Sequence, residues 1–233
     1  MNWVFWRIAV LAVALVSVSG FASTKEVSAR QATPLLQPVH TIQAARANFA
    51  GERASEDACL AADWVVESAD HQGLPFVIVD KKDARIFVFG ADGKLRGSTP
   101  VLLGLAVSDK GLVDMSNRKV SSLRPDERST PAGRFASEPG QNLQGEAIIW
   151  IDYESSIAIH RLRPDVRGGR RAQRLTSASI QDNRISMGCV VVPVLFYENV
   201  IQSVLGKSRS VVYVLPETTP LRAMLSALQA GLN

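Results

Sequence analysis

The fold and the chemistry of this chain are decided by the stretch Arg184-Ile185-Ser186-Met187-Gly188-Cys189-Val190-Val191-Val192-Pro193. It holds one of only two cysteines, with a glycine before it and a proline four residues after. From Pro193 to Gly206 apolar residues recur at helical spacing, and proline suits a first helical turn. A thiol on a glycine turn near a helix N-terminus has N–H groups and a positive dipole to stabilise its thiolate. The stretch predicts an activated cysteine or, as is commoner for an arbitrary cysteine, a buried core residue.

Composition indicates an ordinary globular protein. The chain has 233 residues and a net charge of +4, enough length for one good-sized domain with appendages. The mild positive charge is too weak to indicate nucleic acid binding. The sequence lacks zinc-type Cys/His spacing, a Gly-rich phosphate loop and a Rossmann fingerprint. We therefore expect no cofactor, no metal site and no nucleic acid partner.

The first 22 residues have the pattern of an export signal. A weakly basic start is followed by an apolar run from Ile8 to Val18, and Gly20-Phe21-Ala22 fits a small-x-small cleavage site. Because the run is short for a membrane span, we interpret residues 1–22 as a secretory signal peptide, with a retained anchor as the alternative. The expected location is secreted or periplasmic, in the cell envelope, with no membrane span after cleavage.

The remainder divides into four parts. Residues 23–54 are polar and without sustained period, as in a linker or loosely ordered arm. Residues 55–73 form a predicted flanking helix, and residues 217–233 a C-terminal helix with apolar side chains on one face. Residues 74–216 carry the β-rich runs of a mostly β domain, at 76–80, 85–89, 95–104, 147–153, 157–160 and 211–215.

Export makes the pairing of the two cysteines a question, since disulfides persist in oxidising compartments. Cys59 lies within the predicted helix of residues 55–73, where a buried structural thiol is the better interpretation. A disulfide between Cys59 and Cys189 is therefore the less expected outcome.

His160 closes an apolar strand and is followed at once by an arginine run. Residues 161–174 hold six arginines and one aspartate around Gly168-Gly169. Such a run is usually a solvated loop. The alternative is a mobile arm beside an active site, where arginine forks would bind the carboxylates of a substrate.

Several of these features, taken in order, resemble the L,D-transpeptidase catalytic-domain family (YkuD-type). They are the strands at 76–89, the segment Thr130-Pro131-Ala132-Gly133-Arg134-Phe135, the strand ending in His160, and Ser186-x-Gly188-Cys189. The resemblance covers about residues 75–215. It implies a mostly β catalytic fold, sandwich-like or barrel-like with a few flanking helices, that acts on cell-wall peptides outside the cytoplasm.

The chemistry of amide attack requires a thiol with a base within hydrogen-bond reach, and His160 is the candidate base for Cys189. The resemblance implies that the backbone carbonyl of Arg161 orients His160, and that the N–H groups of Gly188 and Cys189 form the oxyanion hole. Candidate substrate-binding residues are Ser186, Met187, Arg184, Arg163 and Arg174.

By the same resemblance the partners are peptidoglycan tetrapeptide stems. Cys189 would attack the carbonyl of the diaminopimelate at position three and expel D-alanine. The acyl group would pass to another stem, a lipoprotein lysine or a free D-amino acid, or to water in an L,D-carboxypeptidase.

Two residues depart from the family motif. Met187 stands where the family has histidine or an aromatic residue, and Val191 stands where it has asparagine or arginine. The spacing between His160 and Ser186 is also longer than usual. These departures leave open an altered acceptor preference, weak activity, or an inactive peptidoglycan-binding or scaffold protein on the same fold. A papain-like protease is disfavoured because the histidine precedes the cysteine.

Overall fold

The structure, a computed structural model, describes residues 45–111, 118–164 and 170–231. The predicted signal peptide, residues 23–44 of the predicted arm, and Arg167 of the arginine run lie outside the described residues. Among the helices that are described, none combines the length and the apolar character required to cross a bilayer.

The described residues form ten strands and five short or medium helices. The strands are β1 (Phe76–Asp80), β2 (Arg85–Phe89), β3 (Leu95–Pro100), β4 (Leu103–Gly104), β5 (Gly133–Gln141), β6 (Ala147–Asp152), β7 (Ile157–Arg161), β8 (Arg184–Ser186), β9 (Val190–Val192) and β10 (Ser210–Val214). The helices are α1 (Glu56–Ser68), α2 (Arg171–Leu175), α3 (Val194–Phe196), α4 (Gln202–Val204) and α5 (Leu221–Gly231), and a π-helical turn, Tyr197–Ile201, joins α3 to α4.

Eight strands make one sheet in the order β3-β2-β1-β10-β5-β6-β7-β9, while β4 and β8 form a separate parallel pair. Within the large sheet, β1–β10 and β7–β9 are parallel and the other pairs antiparallel. Leu102, just after β3, exchanges two backbone hydrogen bonds of 2.9 Å with Val191 of β9. The two edges of the sheet therefore nearly meet, and the predicted mostly β, barrel-like fold with few helices is confirmed.

The concave face of this sheet closes over the helix that follows Pro193. Its branched side chains from β1, β2, β6, β7, β9 and β10 pack with Tyr197, Ile201 and Leu205 in one buried core. Helices α1 and α5 cover the opposite face of β1, β2 and β10. Since side chains alternate between the two faces of a strand, residues next to the core positions of β7 and β9 lie on the outer face.

A third, smaller apolar cluster lies on that outer face and anchors the connection between β7 and β8. Val191 is 2% exposed and clusters with Leu102 and Leu175, against which Leu162 and Ile185 pack. The arginine run is therefore not a plain solvated loop along its whole length. Its last part forms α2, and Leu175 attaches that helix to the sheet.

The cluster makes Val191 a stability residue. Val191→Asn is expected to lower the free energy of unfolding by about 1–3 kcal/mol, because it buries an amide among aliphatic side chains. The measurement is the urea unfolding midpoint, and the matched control is Val107→Asn, since Val107 is 59% exposed. The control should change stability by less than about 0.5 kcal/mol. Equal effects of the two substitutions would show that Val191 is not held in an apolar cluster.

Candidate functional site

Parallel pairing of β7 with β9 puts the predicted histidine and cysteine on adjacent segments of the sheet. In the register of this pair Ile159 lies opposite Val190, and His160 opposite Val191. Ile159 and Val190 belong to the core, so His160 and Val191 point to the outer face. Cys189 directly precedes β9, and its Sγ lies 3.7 Å from the carbonyl oxygen of Ser156, at the start of β7. Cys189 thus lies two residues before the register partner of His160, on the adjacent segment and, by alternation, on the same face.

The protonation of His160 is fixed by its neighbour. Nδ1 lies 2.8 Å from the carbonyl oxygen of Arg161, the contact that the resemblance implies. Because a carbonyl oxygen only accepts, the proton of the neutral ring resides on Nδ1. The lone pair of Nε2 is then available to accept a proton.

Burial and nearby cations favour the neutral form of this ring. The pKa of His160 is lowered from its ordinary 6.5 mainly by burial, with Arg163 and Arg171 adding to the effect. The Arg161 carbonyl and the Glu146 carboxylate oppose it. An uncharged imidazole at neutral pH can act as a general base.

Cys189 is half-buried, and burial raises the pKa of its thiol above the ordinary 9.0. The Ala158 N–H and the charge of Arg163 oppose this rise without cancelling it. In the resting structure the thiol is protonated and donates to Ser156. The expectation of an acidic thiol is therefore wrong for this state.

The expected helix N-terminus is also not beside the thiol. The three valines after Cys189 form strand β9, and the helix begins only at Val194. The reason is that β-branched side chains favour a strand, and here the strand pairs with β7. The dipole of that helix consequently gives Cys189 no direct support, since its effect is confined to the first turn.

The turn that carries Cys189 is held by Ser186. The Ser186 hydroxyl donates to the Cys189 carbonyl at 2.6 Å and accepts the Gly188 N–H at 3.0 Å. One of the two donors expected for the oxyanion hole, the Gly188 N–H, is therefore already engaged. The Cys189 N–H remains the candidate donor.

Only glycine fits at position 188. Gly188 has φ +134°, and a Cβ there would lie 2.5 Å from Cδ1 of Ile157 and 2.7 Å from the carbonyl oxygen of Ser129. Any side chain would push the turn away from β7. The glycine that the sequence places before the cysteine is thus required both by backbone conformation and by close approach.

Beneath the turn lies a buried polar network that the sequence did not reveal. Thr130, fully buried, donates from Oγ1 to the Gly188 carbonyl at 2.9 Å and accepts the Gly104 N–H at 2.9 Å. Lys81, also fully buried, donates from Nζ to the Thr130 carbonyl at 2.9 Å and to Asp109 Oδ1 at 2.9 Å. Glu217 lies 3.4 Å from the same Nζ.

The two carboxylates of this network, Asp109 and Glu217, both have cationic partners. Burial opposes ionisation of Asp109, but hydrogen bonds from Thr218, the Glu217 N–H and Lys81 hold its pKa well below the usual range. Arg184 pairs with Glu217 and donates to the Lys81 carbonyl at 2.8 Å. Thr130 belongs to the Thr-Pro segment that the sequence pattern marks, whereas Lys81 and Glu217 belong to no sequence motif.

The predicted substrate-binding residues separate into two groups. Arg184 and Ser186 are buried and bound within the protein, so their side chains hold the turn and its surroundings. Arg174 donates to the carbonyls of Asp182 at 2.8 Å and Arg184 at 3.1 Å. Met187 is half-buried, and Arg163 is 40% exposed. Met187 and Arg163 are the two of these five that a ligand can reach most directly.

Arg163 is paired with a carboxylate that also acts on His160. Glu146 accepts a hydrogen bond from Asn142 at 2.6 Å and lies 2.8 Å from Arg163 and 3.6 Å from Arg161. The Asn142 hydrogen bond and these arginines lower the pKa of Glu146. The carboxylate therefore stays ionised beside the histidine. Sequence reasoning missed Glu146 because it lies apart from every motif.

Both cysteines are free thiols in the structure. Cys59 is half-buried within α1, and burial followed by the charge of Asp63 raises the pKa of its thiol. These features agree with the structural role expected for Cys59.

Comparison with known proteins gives matches only among solved structures. No protein-family model matches the chain, and no curated protein matches it. An L,D-transpeptidase from Enterococcus faecium is similar at 18% identity and TM-score 0.33, over 60% of this chain and 49% of that one. An L,D-transpeptidase from Xylanimonas cellulosilytica matches at 16% identity and TM-score 0.37, over 60% of each chain.

The helical cell shape determining protein Pgp2 from Campylobacter jejuni matches at 16% identity and TM-score 0.40, over 66% of this chain and 52% of that one. The chain thus spans about half to three fifths of the length of these solved chains. These three structures are two L,D-transpeptidases and a cell-shape protein, all at low identity and low TM-score.

Proposed function

We propose that the chain is an exported cysteine acyltransferase of the L,D-transpeptidase type, acting on peptidoglycan tetrapeptide stems through an acyl-enzyme on Cys189. One observation carries the proposal. The carbonyl of Arg161 fixes the His160 proton on Nδ1, and in the β7–β9 register His160 pairs with Val191, two residues after Cys189, which supports a pairing of this base with that thiol. A base with a free Nε2 next to a thiol is the arrangement that nucleophilic attack on an amide requires.

The resting charges indicate how the attack proceeds. Cys189 and His160 are both neutral, so the thiol is deprotonated as it attacks rather than beforehand. His160 Nε2 takes the thiol proton while Sγ bonds to the carbonyl carbon, and the carbonyl oxygen becomes an oxyanion near the Cys189 N–H. The carbon–nitrogen bond then breaks, and His160 returns the proton to the departing amine, leaving a thioester.

The second half of the reaction repeats these roles with a new nucleophile. An acceptor amine loses a proton to His160, attacks the thioester and releases Cys189 as the thiolate, which regains the proton. The acceptor is the amine of another stem, of a lipoprotein lysine or of a D-amino acid, and water in its place gives an L,D-carboxypeptidase. Arg163 is half-exposed and paired with Glu146, and in this proposal it exchanges or shares that partner with a stem carboxylate.

A second candidate is a catalytically weakened or inactive peptidoglycan-binding or scaffold protein on the same fold. The raised pKa of the Cys189 thiol favours it, because a protonated thiol is a poor nucleophile. The apolar environment of Val191 adds to this, since no polar group from that position reaches the site.

Acylation distinguishes these two functions. The purified protein, incubated with a tetrapeptide stem or a carbapenem, is expected to gain one covalent adduct, read by intact-protein mass. Cys189→Ala should gain none, Cys59→Ser should acylate as the wild type does, and His160→Gln should acylate about 10²–10⁴-fold more slowly. A wild type that never acylates, yet still binds isolated wall sacculi, would replace the enzyme by the scaffold function.

The pH dependence of acylation tests the role of His160. Because the pKa of His160 is lowered from 6.5, the acylation rate should decrease with falling pH only below pH 6.5. We call this decrease the acid limb of the profile. Arg163→Gln removes a cation that disfavours the imidazolium ion, so it should raise the pKa of His160 and move the limb upward. Arg222→Gln, on α5, is the matched control and should leave the limb in place. A limb that is unmoved by Arg163→Gln contradicts this electrostatic assignment.

A further inference from the structure

We infer that Thr130 is a positioning residue that aims the Cys189 N–H at the oxyanion of the reaction, an inference that rests on the proposed acyl transfer. The Thr130 hydroxyl does not contact Cys189 itself. It donates to the carbonyl of Gly188 at 2.9 Å. That carbonyl belongs to the same peptide unit as the Cys189 N–H.

The geometry of the peptide group transmits the constraint. A peptide unit is planar and trans, so its C=O and N–H point in opposite directions. When Thr130 holds the Gly188 oxygen on one side, the Cys189 hydrogen must point away from Thr130. Ser186 does not set this direction, because it binds the Gly188 N–H and the Cys189 carbonyl, which belong to the two flanking peptide units.

The direction of the hydroxyl proton follows from its two partners. The Gly104 N–H can only donate, and it occupies a lone pair of Thr130 Oγ1 at 2.9 Å. The Gly188 carbonyl can only accept, so the hydroxyl proton points at it. The resulting chain runs from the Gly104 N–H through the Thr130 hydroxyl to the Gly188–Cys189 peptide. Each bond in such a chain polarises the next, which makes the terminal N–H a stronger donor.

Thr130 acts only through the turn, because it is fully buried and cannot touch a substrate. Its own position is fixed from below, where Lys81 Nζ donates to its carbonyl at 2.9 Å. A side chain held on both its hydroxyl and its backbone can hold a neighbouring peptide in turn. This places the Thr-Pro segment and the cysteine turn, 58 residues apart at Thr130 and Gly188, in one functional unit.

The geometric part is tested without any activity. Protein labelled with ¹⁵N only at cysteine has two cysteine amide signals, from Cys59 and Cys189, assigned with Cys59→Ser. Thr130→Val, which keeps the shape and removes the hydroxyl, should shift the Cys189 signal upfield in ¹⁵N as its preceding carbonyl loses a hydrogen bond. The Cys59 signal should stay in place and report that the protein is folded.

Thr130→Ser, which keeps the hydroxyl, should leave the Cys189 signal near its wild-type position. A Cys189 signal unmoved by Thr130→Val overturns the inference. If Thr130→Val does not fold, Thr130→Ala removes the same hydroxyl without retaining the branched side chain, and the same outcomes apply to it.

The catalytic part compares two reactions of the same thiol. Acylation by a carbapenem forms an oxyanion, whereas alkylation by iodoacetamide is a direct displacement that forms none. Thr130→Val should slow acylation about 10- to 100-fold, less than the 10²–10³-fold cost of deleting an oxyanion donor. It should leave the alkylation rate unchanged, and Thr130→Ser should restore acylation.

Equal slowing of both reactions, or of neither, overturns the role of Thr130. A wild type that does not acylate at all instead overturns the proposed function. In that event the cysteine amide signals still decide whether Thr130 directs the Cys189 peptide.

Discussion

The parallel pairing of β7 with β9 is the constraint on which the candidate site depends. Two adjacent parallel strands need a long crossover, and here it runs through α2 and β8 before the cysteine turn. The pairing sets His160 of β7 opposite Val191 of β9, two residues after Cys189. A slip of one residue would move one of these side chains to the core face. The valines of β9 resist that slip, because Val190 and Val192 fill the core and Val191 the outer cluster.

A network of buried charged side chains supports the cysteine turn from the protein interior. Lys81 follows β1, Glu217 follows β10 and Arg184 begins β8, so the network joins three strand ends that are far apart in sequence. Taking these groups out of water is costly, and only mutual pairing with full hydrogen bonding offsets that cost. The network thus has few alternative arrangements. Such a restricted base suits a turn whose peptide orientation matters for the proposed acyl transfer.

Much of the fold was predictable from local pattern, and the reasons are visible in particular elements. Strands β1, β2 and β10 are continuous apolar runs that are buried in the sheet, and Ser55 does cap α1, accepting the Ala58 N–H at 3.0 Å. The pairing of distant strands, and the near closure between Leu102 and Val191, left no local signal. Such contacts depend on the folded chain as a whole.

The candidate site was predictable in its residue types but not in its surroundings. His160, Cys189 and the Arg161 carbonyl could be selected because the chemistry and the resemblance require them. The acidity of the thiol could not, because burial depends on what packs around it. Arg184 resembled a ligand for carboxylates, yet the carboxylate it meets belongs to Glu217 of the same chain. Sequence shows the charge of a side chain without showing which partner reaches it first.

The two departures from the family motif affect the site in different ways. Val191 packs into the cluster that anchors the crossover, so its apolar side chain is explained by the attachment of α2. Position 191 is not needed to hold the cysteine turn, because Ser186 and Thr130 bind the turn from within the protein. Met187, in contrast, is half-buried at the turn itself, where an apolar side chain would, under the proposed function, alter which acceptor approaches the acyl-enzyme. The physical difference from the motif is therefore concentrated on the accessible side of the turn, while the buried side is held by the hydrogen bonds of Ser186 and Thr130.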